Sequence, residues 1–157
     1  IELLAKSAPL HDIGKVAIPD QILLKPGPLD AAAFETMKTH AVQGWEILRQ
    51  AAAHIGGDSS FLGYAMEIAR HHHERWDGRG YPDRLAGEAI PMSARLMAVA
   101  DVYDALISRR PYKDPMPHAE AMRRLAEGAG AHFDPQVVAA AHACEQAFIE
   151  IARQWHD

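Results

Sequence analysis

The adjacent residues His11 and Asp12, in the stretch His-Asp-Ile-Gly-Lys, bring two metal-ligand side chains together. Both can reach one metal ion, or the carboxylate can bridge two ions. The apolar spacing before the pair predicts that His11 lies on the apolar face of a short helix, which Gly14 can end. Lys15 adds a positive charge nearby. Alone, the pair is more typical of a capped helix end with a core-facing histidine, so its meaning depends on other residues.

Three further histidines are predicted to lie on the apolar sides of two helices. A helix from about 40 to 53 has His40 on its apolar side. The next helix ends in three consecutive histidines, and its helical wheel turns His72 and His73 towards the apolar side. The same wheel puts His71 on the polar side, so we expect His71 to face solvent.

A long helix predicted from Ser93 to Ser108 is apolar on all sides except at Asp101 and Asp104. A helix that is apolar all round is expected to be buried. A buried carboxylate is costly unless a cation or several hydrogen-bond donors compensate it. Two explanations for Asp101 therefore stay open: it is held by an arginine or by backbone donors, or it is a metal ligand.

Composition restricts the class of protein. The chain has 157 residues, of which 48% are hydrophobic and 24% charged, as expected for one soluble globular domain. The net charge of -5 disfavours a binder of nucleic-acid polymers, and no apolar run is long enough for a membrane span. The single Cys144 fits a reducing cytoplasm. Ten histidines are many for this length and favour a metal site.

The pattern predicts an all-α fold without a second domain, because no segment alternates apolar and polar residues as a strand would. Asp30 is expected to cap a helix that runs through Met37. Near the end of the chain, one helix is predicted from about Pro117 to Glu127. Another is capped by Asp134 and is expected to continue towards Trp155.

Five separated motifs follow one another along the chain: His11–Lys15, His72–Pro82, Asp101–Leu106, Arg110–Lys113 and His132–Pro135. Their content and order resemble the HD-GYP domain, a bacterial branch of the HD metal-dependent phosphohydrolases that degrades cyclic di-GMP. The resemblance covers essentially the whole chain and implies an HD-domain-like helical bundle over residues 1–157. The family usually supplies further ligands from a helix upstream of the His-Asp pair. This chain lacks that helix, so we interpret it as a fragment of a larger protein.

The same resemblance implies a site for two divalent transition metals. Iron is the preferred metal, with manganese, nickel or zinc as alternatives, because these metals accept mixed imidazole and carboxylate ligands. Asp12 would bridge the two ions. The remaining ligands would be His11 and Asp101 on one metal, and His40, His72 and His73 on the other.

Substrate contacts and activity are implied in the same way. Lys15 matches a lysine that contacts phosphate, and Tyr81, Arg110 and Lys113 match positions that contact phosphates or bases. Lys15 and Asp12 are therefore the candidate catalytic residues. The implied reaction is hydrolysis of cyclic di-GMP to pGpG, and further to GMP, in the cytoplasm. The implied partners are an upstream regulatory domain and, as an option, a second copy of the chain.

Two acidic residues precede the Gly-Tyr-Pro motif, Gly80 to Pro82, in the same loop. Glu74 and Asp77 are expected to order the loop that carries the motif, although the sequence does not separate this from a direct role. Another cyclic dinucleotide or a nucleotide phosphate is one alternative substrate class. A module that binds a ligand or partner without catalysis is the other alternative, which the intact His-Asp pair and the intact Gly-Tyr-Pro motif disfavour.

Overall fold

The protein is all-α in the computed structural model, which describes residues 1–55, 60–109 and 114–155. This confirms the predicted fold class. Within those ranges the backbone forms no strand, and a single parallel bridge joins Ala129 to Phe133. The helices are α1 (Glu2–Ser7), α2 (Asp20–Leu23), α3 (Ala31–Lys38), α4 (His40–His54), α5 (Ser60–His71), α6 (Met92–Ile107), α7 (His118–Glu127), α8 (Pro135–Ala143) and α9 (Glu145–Trp155).

The helices α4 and α5 pack against each other and organise the N-terminal half of the fold. Their apolar faces meet in a buried core, and α1 and the turns that follow it pack on the same pair. This arrangement holds the segment that carries the His-Asp pair beside the beginning of α4 and the end of α5. The residues of this core are Leu48, Leu62, Ala65 and Ala69, with Leu10 and Ile13 packed against them.

Gly14 brings the backbone of the His-Asp segment into contact with α4. It lies inside a 3₁₀ turn, Ile13–Ala17, and does not end an α-helix. A Cβ at this position would lie 2.0 Å from the carbonyl oxygen of His40 and 2.4 Å from the amide nitrogen of Gly44. Only glycine fits such a close approach. The contact therefore fixes the position of Asp12 relative to α4.

The C-terminal half is organised around α6, α7 and α8, with α9 beside them. A buried cluster fills the space between these helices, and it includes Tyr103, Leu125 and Phe133. Tyr103 donates its hydroxyl to Nδ1 of His118 at 2.8 Å, and Nε2 of His118 donates to the Glu145 carboxylate at 3.0 Å. This chain of hydrogen bonds joins α6, α7 and α9.

Two predicted helices end earlier than expected. The α-helix α1 ends at Ser7, and a 3₁₀ turn over Ala8–Leu10 leads to His11, so His11 follows a helix and does not lie on one. The last predicted helix divides at Cys144 into α8 and α9. Cys144 leaves helical geometry at φ −104° and ψ 17°, and its amide closes α8 by donating to the carbonyl of Ala140.

The helix α6 has nearly its predicted range but is not buried on all sides. Val99 and Tyr103 are buried, whereas Leu96 is 37% exposed and Asp104 is exposed. The expectation of a fully buried helix is wrong for this face, because α5, α7 and α8 pack on the others. No helix in the described ranges, α6 included, has the length and apolar character needed to cross a membrane.

Candidate metal centre

Four ligand-type side chains from separate parts of the chain meet at one point. Asp12 precedes the 3₁₀ turn, His40 is the first residue of α4, and His72 and His73 follow the last residue of α5. One ligand atom from each lies within 4.8 Å of all the others. We call these four residues the Asp12 cluster. All four were predicted from the sequence as metal ligands, and the structure brings them together.

Backbone contacts determine the tautomers of two histidines in the cluster. Nδ1 of His40 donates to the carbonyl of Met37 at 2.7 Å, and Nδ1 of His72 donates to the carbonyl of Ile68 at 2.9 Å. A carbonyl oxygen can only accept, so in the neutral ring the proton is on Nδ1 and Nε2 presents a lone pair. Metal-binding histidines are commonly held in this way.

Both Nε2 atoms lie close to one oxygen of Asp12. Nε2 of His40 lies 3.4 Å from Oδ1 of Asp12, and Nε2 of His72 lies 3.8 Å from the same oxygen. All three atoms are buried, and none has a hydrogen-bond partner within the described part of the chain. Buried acceptors that share a space without a donor are costly unless a cation compensates them. Imidazole nitrogen and carboxylate oxygen are suitable ligands for a divalent transition metal, so these residues fit such an ion.

Two more predicted ligands follow on from the other oxygen of Asp12: His11 lies beside that oxygen, and Asp101 lies beside His11. Nδ1 of His11 donates to the carbonyl of Ala8 at 2.8 Å. Nε2 of His11 then lies 3.2 Å from Oδ2 of Asp12 and 3.8 Å from Oδ1 of Asp101. The two oxygens of Asp12 therefore face different ligand-type groups. All six predicted metal ligands lie in this one region.

Burial keeps three imidazoles of the cluster neutral. It lowers the pKa of His72 to about 4 and the pKa of His73 to about 2, and the charges of neighbouring histidines act in the same direction. Burial also lowers the pKa of His40. The neutral imidazole is the form that binds a metal. At neutral pH these three side chains therefore need to lose no proton before they can act as ligands.

The pKa shifts of Asp12 and His11 are opposite to the effect of burial. Burial raises the pKa of Asp12, but hydrogen bonds from His11 and Lys15 outweigh it and hold this pKa well below its usual range. Burial lowers the pKa of His11, but contacts with Asp12 and with the carbonyl of Ala8 outweigh it and raise this pKa. Asp12 is therefore a carboxylate with positive charge beside it.

Two of the predicted substrate-binding residues border the cluster. Lys15 donates to Oδ2 of Asp12 at 2.5 Å, and its side chain is 41% exposed. The ring of Tyr81 stacks on His73, with centroids 4.8 Å apart and planes at 30°. Burial raises the pKa of Tyr81, so the phenol stays protonated. The other two predicted residues, Arg110 and Lys113, lie outside the described residues.

The Gly-Tyr-Pro loop, residues 74–82, is ordered by the two carboxylates that the sequence analysis named. Glu74 is 2% exposed and accepts hydrogen bonds from the amides of Asp83 at 2.7 Å and Leu85 at 3.1 Å. Asp77 accepts a backbone amide two residues further on, at 3.0 Å. Both carboxylates thus stabilise the loop by hydrogen bonds to its own backbone and to the segment that follows it.

The Gly-Tyr-Pro loop is also attached to the turn that precedes α8. The amide of Trp76 donates to the carbonyl of His132 at 3.1 Å, and the amide of Asp77 donates to the carbonyl of Ala131 at 2.9 Å. The guanidinium of Arg95, on α6, lies 5.8 Å from the centre of the Trp76 ring. The loop is therefore held on a side away from α5 as well.

The prediction that His71 faces solvent is wrong, because its side chain is only 15% exposed. His71, Glu74 and Asp83 form a second group whose ligand-type atoms lie within 4.8 Å of one another, which we call the Asp83 cluster. Arg70 donates to both oxygens of Asp83, at 2.7 and 2.9 Å. The helical wheel failed here because the segment after the Gly-Tyr-Pro loop folds over the polar side of α5.

Sequence reasoning missed Arg70 as a link between three parts of the fold. Besides pairing with Asp83 beyond the loop, its guanidinium lies 4.9 Å from the centre of the Trp45 ring on α4. Arg70 and Asp83 are thirteen residues apart, and no helical spacing or motif relates them. No signal in a single sequence identifies this contact.

A cavity of about 910 Å³ opens beside the Asp12 cluster. Its wall includes His73 and Tyr81, residues of α3, and arginines of the Gly-Tyr-Pro loop and of the segment after it. The volume lies within the range of small-molecule sites. A ligand in this cavity would be in contact with one member of the cluster and with the ring that covers it.

Comparison with known proteins gives consistent matches. A family model described as HD domain matches residues 2–137. A Vibrio cholerae protein named cyclic di-GMP phosphodiesterase is 57% identical over 157 residues, which is 100% of this chain and 32% of that protein. A Thermotoga maritima protein of the same name is 46% identical over 151 residues, 96% of this chain and 39% of that protein. Another Vibrio cholerae protein, named 3'3'-cGAMP-specific phosphodiesterase 2, is 46% identical over 137 residues, 87% and 25% respectively. The chain thus spans about a third of the length of the curated relatives it matches.

Proposed function

Because the chain belongs to the HD domain family, in its HD-GYP branch, we propose that it is a metal-dependent phosphodiesterase that hydrolyses cyclic di-GMP to pGpG. The main support is the Asp12 cluster. There the buried Nε2 atoms of His40 and His72 face Oδ1 of Asp12, with no hydrogen-bond donor for them among the described residues. Relatives at 57% and 46% identity carry this activity in their names.

We propose two divalent metals in this site, with iron preferred and manganese, nickel or zinc as alternatives. Asp12 would bridge them, because its two oxygens face different ligand-type groups. When bound, such ions supply a nucleophile from water at neutral pH and neutralise negative charge on the phosphate. The other proposed ligands are His11 and Asp101 on one side, and His40, His72 and His73 on the other.

The chain's own residues would bind and orient the substrate around that site. The ammonium of Lys15 lies at the edge of the cluster and can stabilise the charge that develops on the scissile phosphate. The ring of Tyr81 covers His73 and excludes water from that side, while its phenol remains available as a hydrogen-bond donor. The pKa of Asp12 is low enough that it stays a carboxylate throughout the neutral range.

Arg110 and Lys113 are proposed to bind the second phosphate of the cyclic dinucleotide. Arginine can donate two parallel hydrogen bonds to a phosphate, and lysine acts as a point charge. This part of the proposal rests on the Arg-Pro-Tyr-Lys motif alone, because both residues lie outside the described ranges.

A second candidate substrate is 3'3'-cGAMP, because one relative at 46% identity is named as specific for it. The two cyclic dinucleotides differ in one base, guanine or adenine, and share the phosphodiester linkages. The Asp12 cluster would act on the phosphate of either, so it cannot select between them. The choice between these substrates must be made by residues that contact the bases.

A turnover assay on anaerobically purified, metal-loaded protein tests the proposal. Each cyclic dinucleotide is incubated with the protein and the products are separated by chromatography, while elemental analysis counts the metals in each chain. We expect pGpG from cyclic di-GMP, formed faster than any product from 3'3'-cGAMP, and two metals per chain. The opposite preference would assign the second substrate. If the metal-loaded protein binds the ligand but forms no product, the chain is a non-catalytic binding module.

We also infer that residues 1–157 are the HD-GYP module of a longer protein, since the relatives are about three times as long. A regulatory domain upstream and a homodimer are part of this proposal. A cytoplasmic location is inferred from the substrate and from the free thiol of Cys144. Size measurement of the native protein from its own cells would test the first two points.

A further inference from the structure

The wall of the cavity formed by α3 carries an exposed aromatic ring beside a lysine. Phe34 is 48% exposed, and Lys38 follows it one turn later on the same helix. Both line the cavity that also reaches His73 and Tyr81. An aromatic face that is open to a cavity is stabilised when a flat apolar group covers it. This wall is therefore suited to a planar ligand.

Phe34, Lys38 and Tyr81 form one continuous surface. The rings of Phe34 and Tyr81 meet edge to face, with centroids 6.5 Å apart and planes at 83°. Nζ of Lys38 lies 5.5 Å from the centre of the Phe34 ring and 5.6 Å from the centre of the Tyr81 ring. It also pairs with Glu35 at 2.6 Å. The ammonium is therefore held at the junction of two aromatic rings.

Tyr81 connects this surface to the Asp12 cluster. Its ring stacks on His73 and meets the Phe34 ring edge to face, and all three residues line the cavity. A ligand with one end at the cluster therefore reaches Phe34 after passing a single aromatic ring. A nucleotide has the matching form, because it carries a phosphate at one end and a planar base at the other.

We propose that Phe34, Lys38 and Tyr81 form a guanine subsite, in which the base stacks on Phe34 and Lys38 donates a hydrogen bond to it. The inference rests on the proposed function, since that places the scissile phosphate at the Asp12 cluster. Guanine presents two neighbouring acceptors, O6 and N7, whereas adenine presents N7 beside an amino donor. The ammonium of Lys38 is a donor only, so it favours guanine over adenine.

Binding of mononucleotides to the metal-loaded chain tests the subsite without dependence on turnover. Dissociation constants for GMP, AMP and inorganic phosphate are measured by titration calorimetry. The variants are Phe34→Ala, Phe34→Leu and Lys38→Met, because leucine keeps apolar volume without an aromatic face and methionine keeps the side-chain length without the charge. Tyr64→Ala is the matched control, since Tyr64 is a 41% exposed aromatic residue on α5 that does not line the cavity.

We expect Phe34→Ala to weaken GMP binding roughly tenfold, the loss typical of one base–aromatic stack. Phe34→Leu should weaken it nearly as much. Lys38→Met should reduce the preference for GMP over AMP, again roughly tenfold. Inorganic phosphate, which reports on the metal cluster alone, should bind every variant equally. The Tyr64→Ala control should match the wild type with all three ligands.

Several results would overturn the subsite. These are no GMP binding by the wild type, unchanged GMP binding in Phe34→Ala, full retention in Phe34→Leu, or an unchanged GMP preference in Lys38→Met. Equal losses of GMP and phosphate would also overturn it, because the damage would then lie at the metal cluster. Cyclic di-GMP hydrolysis is measured separately. GMP binding that depends on Phe34 in a chain without hydrolysis would support the subsite and refute only the proposed function.

Discussion

The Asp12 cluster and the Asp83 cluster lie at the same end of α5, yet their polar atoms are used differently. In the Asp12 cluster, buried imidazole nitrogens face a buried carboxylate oxygen, and no described residue donates to them. In the Asp83 cluster, Glu74 accepts hydrogen bonds from two backbone amides, and Asp83 accepts them from Nε and one Nη of Arg70. The consecutive residues His71 and His72 belong to different clusters.

This difference distinguishes a site that can take a cation from one that stabilises a loop. Both clusters combine imidazole and carboxylate groups whose ligand-type atoms lie within 4.8 Å of one another. A carboxylate whose acceptors are already filled gains little from a metal, whereas buried acceptors without donors gain much. Nδ1 of His71 also lacks a hydrogen-bond partner among the described residues, but it lies 3.5 Å from Asp83, whose charge Arg70 already compensates. The hydrogen bonds that the carboxylates already accept therefore distinguish the cluster that can bind a cation from the one that stabilises the loop.

The largest effect should separate the two consecutive histidines. His72→Ala should lower metal content and abolish hydrolysis, a loss of more than about 100-fold, since removal of even an outer-shell partner costs 10–100-fold. His71→Ala should keep its metal and lose no more than a few-fold in activity. Elemental analysis and initial rates on the two variants provide the comparison. Normal metal content in His72→Ala, or equal metal loss in both, would remove the distinction between the clusters.

The Glu74 carboxylate of the Asp83 cluster should affect the free energy of unfolding and not the metal content. Glu74→Gln keeps one acceptor oxygen and leaves a second buried amide without a partner, which costs about 1–3 kcal/mol of unfolding free energy. Urea unfolding measures this change. Metal content should stay at the wild-type value, because Glu74 faces the backbone of Asp83 and Leu85. Loss of metal together with stability would mean that Glu74 is also a ligand.

Acid should destabilise the metal-free protein through the Asp12 cluster. The pKa of His72 is lowered to about 4 from an ordinary 6.5, so between these values the unfolded chain binds a proton that the folded chain does not. Stability is therefore full above pH 6.5 and falls as pH drops towards 4. From pH 7 to pH 5 the loss due to His72 alone is about 2 kcal/mol. The raised pKa of His11 acts in the opposite direction.

Urea unfolding of chelator-treated protein at these two pH values measures the effect. His72→Ala should show a shallower pH dependence, whereas Glu74→Gln should keep the wild-type slope because it leaves the Asp12 cluster intact. Equal slopes in wild type and His72→Ala would show that His72 titrates normally.

The smallest effect concerns the ion pair between Arg70 and Asp83. Their side chains are 25% and 32% exposed, so solvent screens the pair in part. A double-mutant cycle with Arg70→Ala and Asp83→Ala should give a coupling energy below about 1 kcal/mol. Metal content should be unchanged in all three variants. A coupling of several kcal/mol would mean that the pair holds the loop far more strongly than its exposure indicates.

The inward direction of His40 and His72 could be predicted because each lies on or next to a helix whose own apolar face is readable. Their side chains are almost completely buried, as the helical wheels indicated. The wheel failed for His71 because it considers one helix, and the segment that covers the polar side of α5 comes from beyond the Gly-Tyr-Pro loop. The contact of Arg70 with Asp83 could not be predicted for the same reason.

Helix limits were less predictable than helix faces. The break at Cys144 occurs in a stretch without glycine or proline, so no strong helix-breaking residue marks it in the sequence. The burial of α6 was overestimated because composition cannot tell which face of an apolar helix lacks a neighbour. For Asp101, the structure adds its position, because its Oδ1 lies 3.8 Å from Nε2 of His11, and its role as a metal ligand stays a prediction.

The attachment of the Gly-Tyr-Pro loop to the turn before α8 uses the carbonyl oxygens of Ala131 and His132 and the amides of Trp76 and Asp77. Every residue type except proline carries both groups, so these bonds do not depend on which side chains are present. The attachment can therefore persist when residues 131 and 132 are substituted during evolution. A search for sequence motifs would not detect this attachment, and alanine scanning would leave it intact because alanine keeps the backbone amide and carbonyl. Proline substitution at 76 or 77, which deletes the donor itself, would expose it.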